Sequence, residues 1–186
     1  MLKYFNRCLV LLIFMNLVGC SYYPDIRDLS YYGKYETMNQ DITKLIKTDG
    51  FYYNSSIEEK DILMLYENGV YFSTFLSPRY SIWVDHEFPV CELPNKAKHS
   101  MSGWGVYIIE KDTIKMQSFV AYSVGMFRNY EGEAWAVIEN DTTLRYIKWT
   151  TYDPKILHQN FNYRLRFKQC ASKSDSMNIF FKMNDE

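Results

Sequence analysis

Three stretches of this chain place turn-forming residues between runs of alternating apolar residues, and that pattern commits much of the chain to antiparallel hairpins. In Asp61 to Phe75 the turn is Asn68-Gly69. Both residues tolerate positive φ, which suits a two-residue type I′ turn. The predicted register then pairs Tyr66 with Tyr71, Leu65 with Phe72 and Met64 with Ser73. Strand alternation groups Ile62, Met64, Tyr66, Tyr71, Ser73 and Phe75 on one face, and Leu63, Leu65, Phe72 and Thr74 on the other. Both faces are apolar enough to predict that both are covered.

Trp104 to Val120 reads as a second hairpin about Lys111-Asp112, with Ile109 opposite Ile114 and Tyr107 opposite Met116. Glu133 to Trp149 reads as a third about Asn140-Asp141, with Val137 opposite Leu144, Trp135 opposite Tyr146 and Glu133 near Lys148. Thr43 to Tyr53, with a break at Asp49-Gly50, and Asn162 to Gln169 add single strands. In the latter, Tyr163, Leu165 and Phe167 alternate with Arg164, Arg166 and Lys168. Eight strands at this spacing suit an antiparallel sandwich or barrel. Phe75 to Met101, with three prolines, reads as a long loop with room for a short helix, and Ser174 to Lys182 as a short C-terminal helix.

The first residues carry an address. Lys3 and Arg7 precede an apolar run from Cys8 to Val18, the pattern of a secretory signal. The run is too short to span a bilayer, which needs ~20 apolar residues. Leu17-Val18-Gly19-Cys20 resembles the lipobox of bacterial lipoproteins. That resemblance implies cleavage before Cys20 and lipid attachment to it. The expected divisions are a signal at 1–19, a lipid-anchored tether at 20–40 and a β domain at 41–186. Without residues 1–19, 167 of the 186 remain, and loss of Lys3 and Arg7 takes the formal charge from −1 to −3. No long basic run remains, which argues against nucleic acid as a partner. Ser21 lacks the acidic sorting signal of inner-membrane lipoproteins, so the expected location is the outer membrane, facing the periplasm.

Cys91 and Cys170 are then the remaining thiols. An oxidising compartment permits a bridge between them, and two separate buried thiols fit the sequence equally. Seventeen tyrosines raise the aromatic share to 18%, which favours strands. No phosphate loop, serine-nucleophile elbow or zinc-protease motif occurs. His86, Cys91 and His99, near Asp85 and Glu87, fit no compact metal-ligand spacing. The expectation is a non-enzyme without metal or cofactor.

Thr48-Asp49-Gly50-Phe51-Tyr52-Tyr53, Leu65-Tyr66-Glu67-Asn68-Gly69, Trp104-Gly105-Val106-Tyr107 with Asp112-Thr113-Ile114, and Lys173-Ser174-Asp175-Ser176-Met177-Asn178 resemble uncharacterised lipoproteins of Bacteroidetes. The resemblance covers roughly residues 44–182 and implies an all-β, up-and-down antiparallel barrel similar in architecture to lipocalins. A barrel of about eight strands holds a small ligand when its side chains leave room. The expected inward set is Met64, Tyr66, Tyr71, Tyr107, Met116, Trp135 and Tyr146, and the expected role is binding a small apolar or aromatic ligand. The alternative is an accessory lipoprotein with a filled barrel, contacting an envelope protein partner through its tether and the Phe75–Met101 loop.

Overall fold

The computed structural model describes residues 29–31, 34, 42–54, 60–76, 90–98, 103–121, 129–151 and 159–175. Eight strands run β1 Gly50–Tyr53, β2 Lys60–Leu65, β3 Val70–Leu76, β4 Trp104–Glu110, β5 Thr113–Ala121, β6 Asn129–Asn140, β7 Thr143–Thr151 and β8 Gln159–Gln169. Each pairs antiparallel with its neighbour in sequence, and β1 pairs with β8, so the sheet closes into an up-and-down barrel. Closure leaves no unpaired sheet edge. Where a continuous strand is predicted from Thr43, a single helical turn, α1 (Ile42–Leu45), precedes β1 instead. The apolar residues Ile42 and Ile46, four apart, are both buried in the barrel core, which is the period of a helix and not of a strand.

The three hairpins differ in how well their dipeptides set register. Lys111-Asp112 forms the predicted two-residue turn, and Ile109 faces Ile114 and Tyr107 faces Met116. At the first hairpin Leu65 faces Tyr71 and Leu63 faces Ser73, one residue away from the prediction. The loop there has three residues: the Gly69 N–H donates to Tyr66 O at 3.1 Å and the Tyr66 N–H to Val70 O at 2.9 Å. Gly69 takes φ +77° while Asn68 is not among the positive-φ residues, the pattern of a turn ending in a left-handed glycine. One residue of slip exchanges the faces of β2. At the third hairpin Asp141-Thr142 is the turn, because Asn140 Oδ1 accepts the Thr142 N–H at 3.0 Å and so takes the position before it. A bulge between Ile138 and Asn140 skips Glu139, so Leu144 faces Ile138, and Tyr146 faces Ala136. A register shift after Tyr146 skips Ile147, so Lys148 lies opposite Trp135 and Trp149 opposite Ala134.

These turns and α1 occupy one end of the barrel, the turn end. α1 and Ile46 plug it: the Lys47 N–H donates to Asp141 O at 3.1 Å, and the Tyr52 hydroxyl lies 2.8 Å from Asp141 O. Beneath the plug Tyr107, Ile114, Met116, Leu144 and Leu165 are each no more than 1% exposed. The other end, the loop end, carries the four longer connections.

A second apolar layer lies outside the barrel. Phe51, Ile62, Met64, Tyr66, Phe72 and Trp104 cover the outer wall of β1–β4. The connection between β3 and β4 returns over them as a 3-10 turn, Val90–Glu92, and a short helix, α2 (Leu93–Lys96). The Trp104 indole N–H donates to Ala97 O at 3.1 Å, and Cys91 is disulfide-bonded to Cys170. Lys173 holds the same wall: its ammonium donates to Thr48 O and Leu65 O and sits 4.0 Å from the Tyr66 ring centroid. Farther round, Leu29 packs on Val106, the Tyr31 N–H donates to Gln117 Oε1 at 2.9 Å, and the Tyr31 hydroxyl donates to Glu133 at 2.8 Å. That part of the expected tether therefore rests on the barrel. The signal, Cys20, and most of the expected C-terminal helix lie outside the described residues; Ser174 and Asp175, at its start, are not helical.

Candidate functional site in the loop-end interior

Register fixes which side chains point inward. Tyr71, Tyr107, Met116 and Tyr146 belong to the barrel core. Met64 and Tyr66 do not: the one-residue slip at Gly69 turns them to the outer layer, where Tyr66 stacks on Trp104 at 6.1 Å. Trp135 also points out. It pairs with Lys115 and Lys148, whose ammonium groups lie 5.1 Å and 4.6 Å from its ring centroid. The predicted inward set thus divides into four inside and three outside. Of the four, Tyr107 and Met116 sit in the dry turn-end half. The Tyr107 hydroxyl donates to Tyr66 O, and burial raises its phenol well above the ordinary range.

The loop-end half is different in kind. Asp61 shares its face with Leu63 and Leu65, because the three alternate along β2. The Tyr163 hydroxyl donates to Asp61 Oδ2. Tyr163 faces Tyr146 across β7 and β8, with ring centroids 5.4 Å apart and planes 5° from parallel. The Phe161 ring stands at 66° to Tyr146 and 71° to Tyr163, with centroids 5.4 Å and 5.5 Å away. Burial, then the hydrogen bond to Asp61 and its charge, push the Tyr163 phenol upward, so it stays a donor to the carboxylate.

The facing wall is built from small residues. Tyr71 pairs with Gly105, Gly105 with Ser118, and Ser118 with Gly132, while Ala134 lies beside Met116. The Tyr71 ring lies against Gly105, where a Cβ would come within 2.5 Å of it. Its phenol bonds to the Ser118 side chain, and burial pushes it up to about 12. Unlike the residues beneath α1, Asp61, Ser118, Tyr146, Trp149, Phe161 and Tyr163 keep intermediate exposure.

Trp149, Phe161 and Asp61 were not in the predicted set. Trp149 is brought inward by the skip at Ile147, and Asp61, the first residue of the first predicted hairpin, was assigned to neither of its faces. Phe161 lies one residue before the predicted final strand. Among the described residues no group of three His, Cys, Asp or Glu is arranged to hold a metal, and no helix is long and apolar enough to cross a membrane. His86 and His99 lie outside the described residues, and Cys91 is in the disulfide. Comparison with known proteins finds no matching family model, no matching curated protein and no matching solved structure.

Proposed function

We propose that this chain is an envelope lipoprotein, anchored through lipid on Cys20 and facing the periplasm from the outer membrane, whose barrel binds a small apolar or aromatic ligand without catalysis. The binding half of this reading is carried by one contrast: side chains under α1 are sealed, while inward-facing aromatics at the loop end stay partly open. A barrel closed at one end and accessible at the other suits a small ligand that enters through the loops. Inward-facing aromatic rings suit a flat or apolar guest, because they supply contact area.

The anchor half rests on the sequence: charged start, short apolar run and Leu-Val-Gly-Cys. Several acyl chains at ~0.8 kcal/mol per buried methylene hold a protein on a membrane without spanning it.

Native mass spectrometry of the mature chain in non-ionic detergent tests the binding reading. Retained or added apolar or aromatic small molecules support it, and a chain that never carries one refutes it. The mass of the natural N-terminus tests the anchor separately; an intact Met1 or an unmodified Cys20 thiol refutes it. Crosslinking in intact cells to one dominant protein, with no small molecule bound, would favour the accessory-protein alternative.

A further inference from the structure

We infer that the outer wall of β7 and β8 docks on an anionic lipid bilayer, with Arg145, Lys148, Arg164 and Arg166 supplying the charge and Trp135, at the edge of the wall, entering the headgroup layer. The choice of a membrane as partner rests on the anchor reading above; the charged wall itself does not.

Alternation sets these groups on one surface. Leu144, Tyr146, Tyr163, Leu165 and Phe167 point into the core, so Arg145, Arg164, Arg166 and Lys168 point out. Lys148 lies beside Trp135 on the same outer side, 4.6 Å from its ring centroid. Arg145 pairs with Arg164, and Thr143 with Arg166 one row nearer the turn end. Arg164 and Arg166 are exposed, and Trp135, Val137, Arg145 and Lys148 are partly so. The wall of β1–β4, by contrast, lies under the apolar layer and the connection that crosses it. Neither β7 nor β8 contains an Asp or Glu. The carboxylates beside them come from β6. Glu139 is shared by Arg145 at 3.2 Å and Arg164 at 2.6 Å, and Glu133 is buried. Glu131 lies past the last pair of β6 with β7. Counting Lys168, five cations against Glu139 and Glu133 leave three positive charges on the wall of a chain whose formal charge is −1.

Three observations name the partner. The cations are spread over about 14 Å along β8 with no common focus, which suits a field of headgroups and not one small anion. Trp135 adds a ring with an apolar body and a polar edge, the kind of side chain that settles at the level of lipid headgroups. The tether arrives at the same place. The Trp135 indole N–H donates to the Glu133 carboxylate that also accepts the Tyr31 hydroxyl, so the segment leading from Cys20 meets the barrel beside this wall. The nine residue steps from Cys20 to Leu29 span at most about 30 Å, so lipid on Cys20 would keep the wall close to a bilayer.

Vesicle co-sedimentation of the mature chain carrying C20S tests this without any contribution from attached lipid. Vesicles of phosphatidylcholine alone are compared with vesicles of equal parts phosphatidylcholine and phosphatidylglycerol. A cation near an anionic surface strengthens binding about fivefold, so the wall predicts a preference of at least about tenfold for the anionic vesicles, lost at high salt. K148E/R166E should weaken that binding about tenfold or more, while K44E/K98E, the same charge change at exposed lysines off this wall, should cost less than about threefold. Quenching of tryptophan emission by brominated phosphatidylglycerol should fall sharply in W135F. Thermal unfolding of each variant confirms that it folds, and the comparison of vesicles with the C20S chain decides even if one does not. Equal binding to the two kinds of vesicle, binding to neither, or an equal loss in the two double variants overturns the inference. Tighter binding to polyglutamate or to duplex DNA than to the anionic vesicles also overturns it, and would name an acidic protein or a nucleic acid instead. The anchor reading stands or falls separately, on the mass of the natural N-terminus.

Discussion

Removing the Cys91–Cys170 bridge should cost this chain a large part of its stability. The bridge joins residues 79 apart in sequence. Closing a loop of that size removes about 15 cal/mol/K from the unfolded ensemble on the chain-entropy account, or about 4.5 kcal/mol at 25 °C. Small domains hold about 5–15 kcal/mol in total, so this is a large share. C91A/C170A also removes two sulfur atoms from the outer apolar layer over β1–β4, where Cys170 is buried, which adds to the loss. Urea unfolding of the mature chain, followed by circular dichroism, measures the change. With a slope of about 2 kcal/mol per molar, the midpoint should fall by about 2 M in C91A/C170A, and by a similar amount in wild type under a reducing agent. The slope should rise, because the uncrosslinked chain exposes more surface. A midpoint shift below about 0.5 M, corresponding to about 1 kcal/mol, would refute the loop-entropy reasoning.

Alkaline pH should unfold the barrel cooperatively. Tyr52, Tyr71 and Tyr107 are 1%, 4% and 0% exposed, and burial raises all three phenols. The folded state then keeps protons that the unfolded chain releases above pH ~10, so stability is full below that pH and falls as pH rises. Three such groups together remove about 4 kcal/mol per pH unit, which places unfolding above about pH 11. Tyrosinate absorbance should rise together with loss of circular dichroism; tyrosines titrating singly in a folded chain would refute this. Lys173 works the other way: burial lowers it to about 8, so stability should first rise between pH ~8 and ~10.4, a rise that K173M removes. G105A should destabilise by about 2–4 kcal/mol in the same urea assay, since its Cβ would lie 2.2 Å from Gln117 O and 2.5 Å from the Tyr71 ring. K111N should stabilise by about 0.5–1 kcal/mol, because Lys111 holds φ +60° and asparagine tolerates that region; an unchanged or lower urea midpoint counts against it.

The hairpins were legible in the sequence because each carries alternation on both sides of a turn, and the second was legible to the residue pair; alternation left sandwich and barrel open, and the resemblance pointed to the barrel. The first was not, because Asn68-Gly69 serves equally as a two-residue turn or as the end of a three-residue one. Polarity did not correct the slip: Ile62 and Met64 are as apolar as Leu63 and Leu65, and both faces are buried. That ambiguity sent Met64 and Tyr66 to the wrong side and hid Asp61, whose place inside follows only once Leu63 faces Ser73. Trp135 was misplaced because the turn falls one residue later and a bulge skips Glu139, so that Ala136 and not Trp135 faces Tyr146; neither leaves a mark in an alternating strand. The Tyr163–Leu165–Phe167 face was plain, since three basic residues alternate with it.

The short first strand makes β1 the seam of the cylinder. It meets β2 through Tyr52 and Tyr53 alone, and β8 through Gly50 to Tyr53. Three fasteners lie just beside it: the Cys170 N–H on Asp49 O, the Gln169 amide on the Asp49 carboxylate, and Lys173 on Thr48 O. Were the seam to part, β2 and β8 would each offer a naked row of peptide groups to a neighbour. Such rows invite strand exchange between copies, so these fasteners guard against association as well as holding shape.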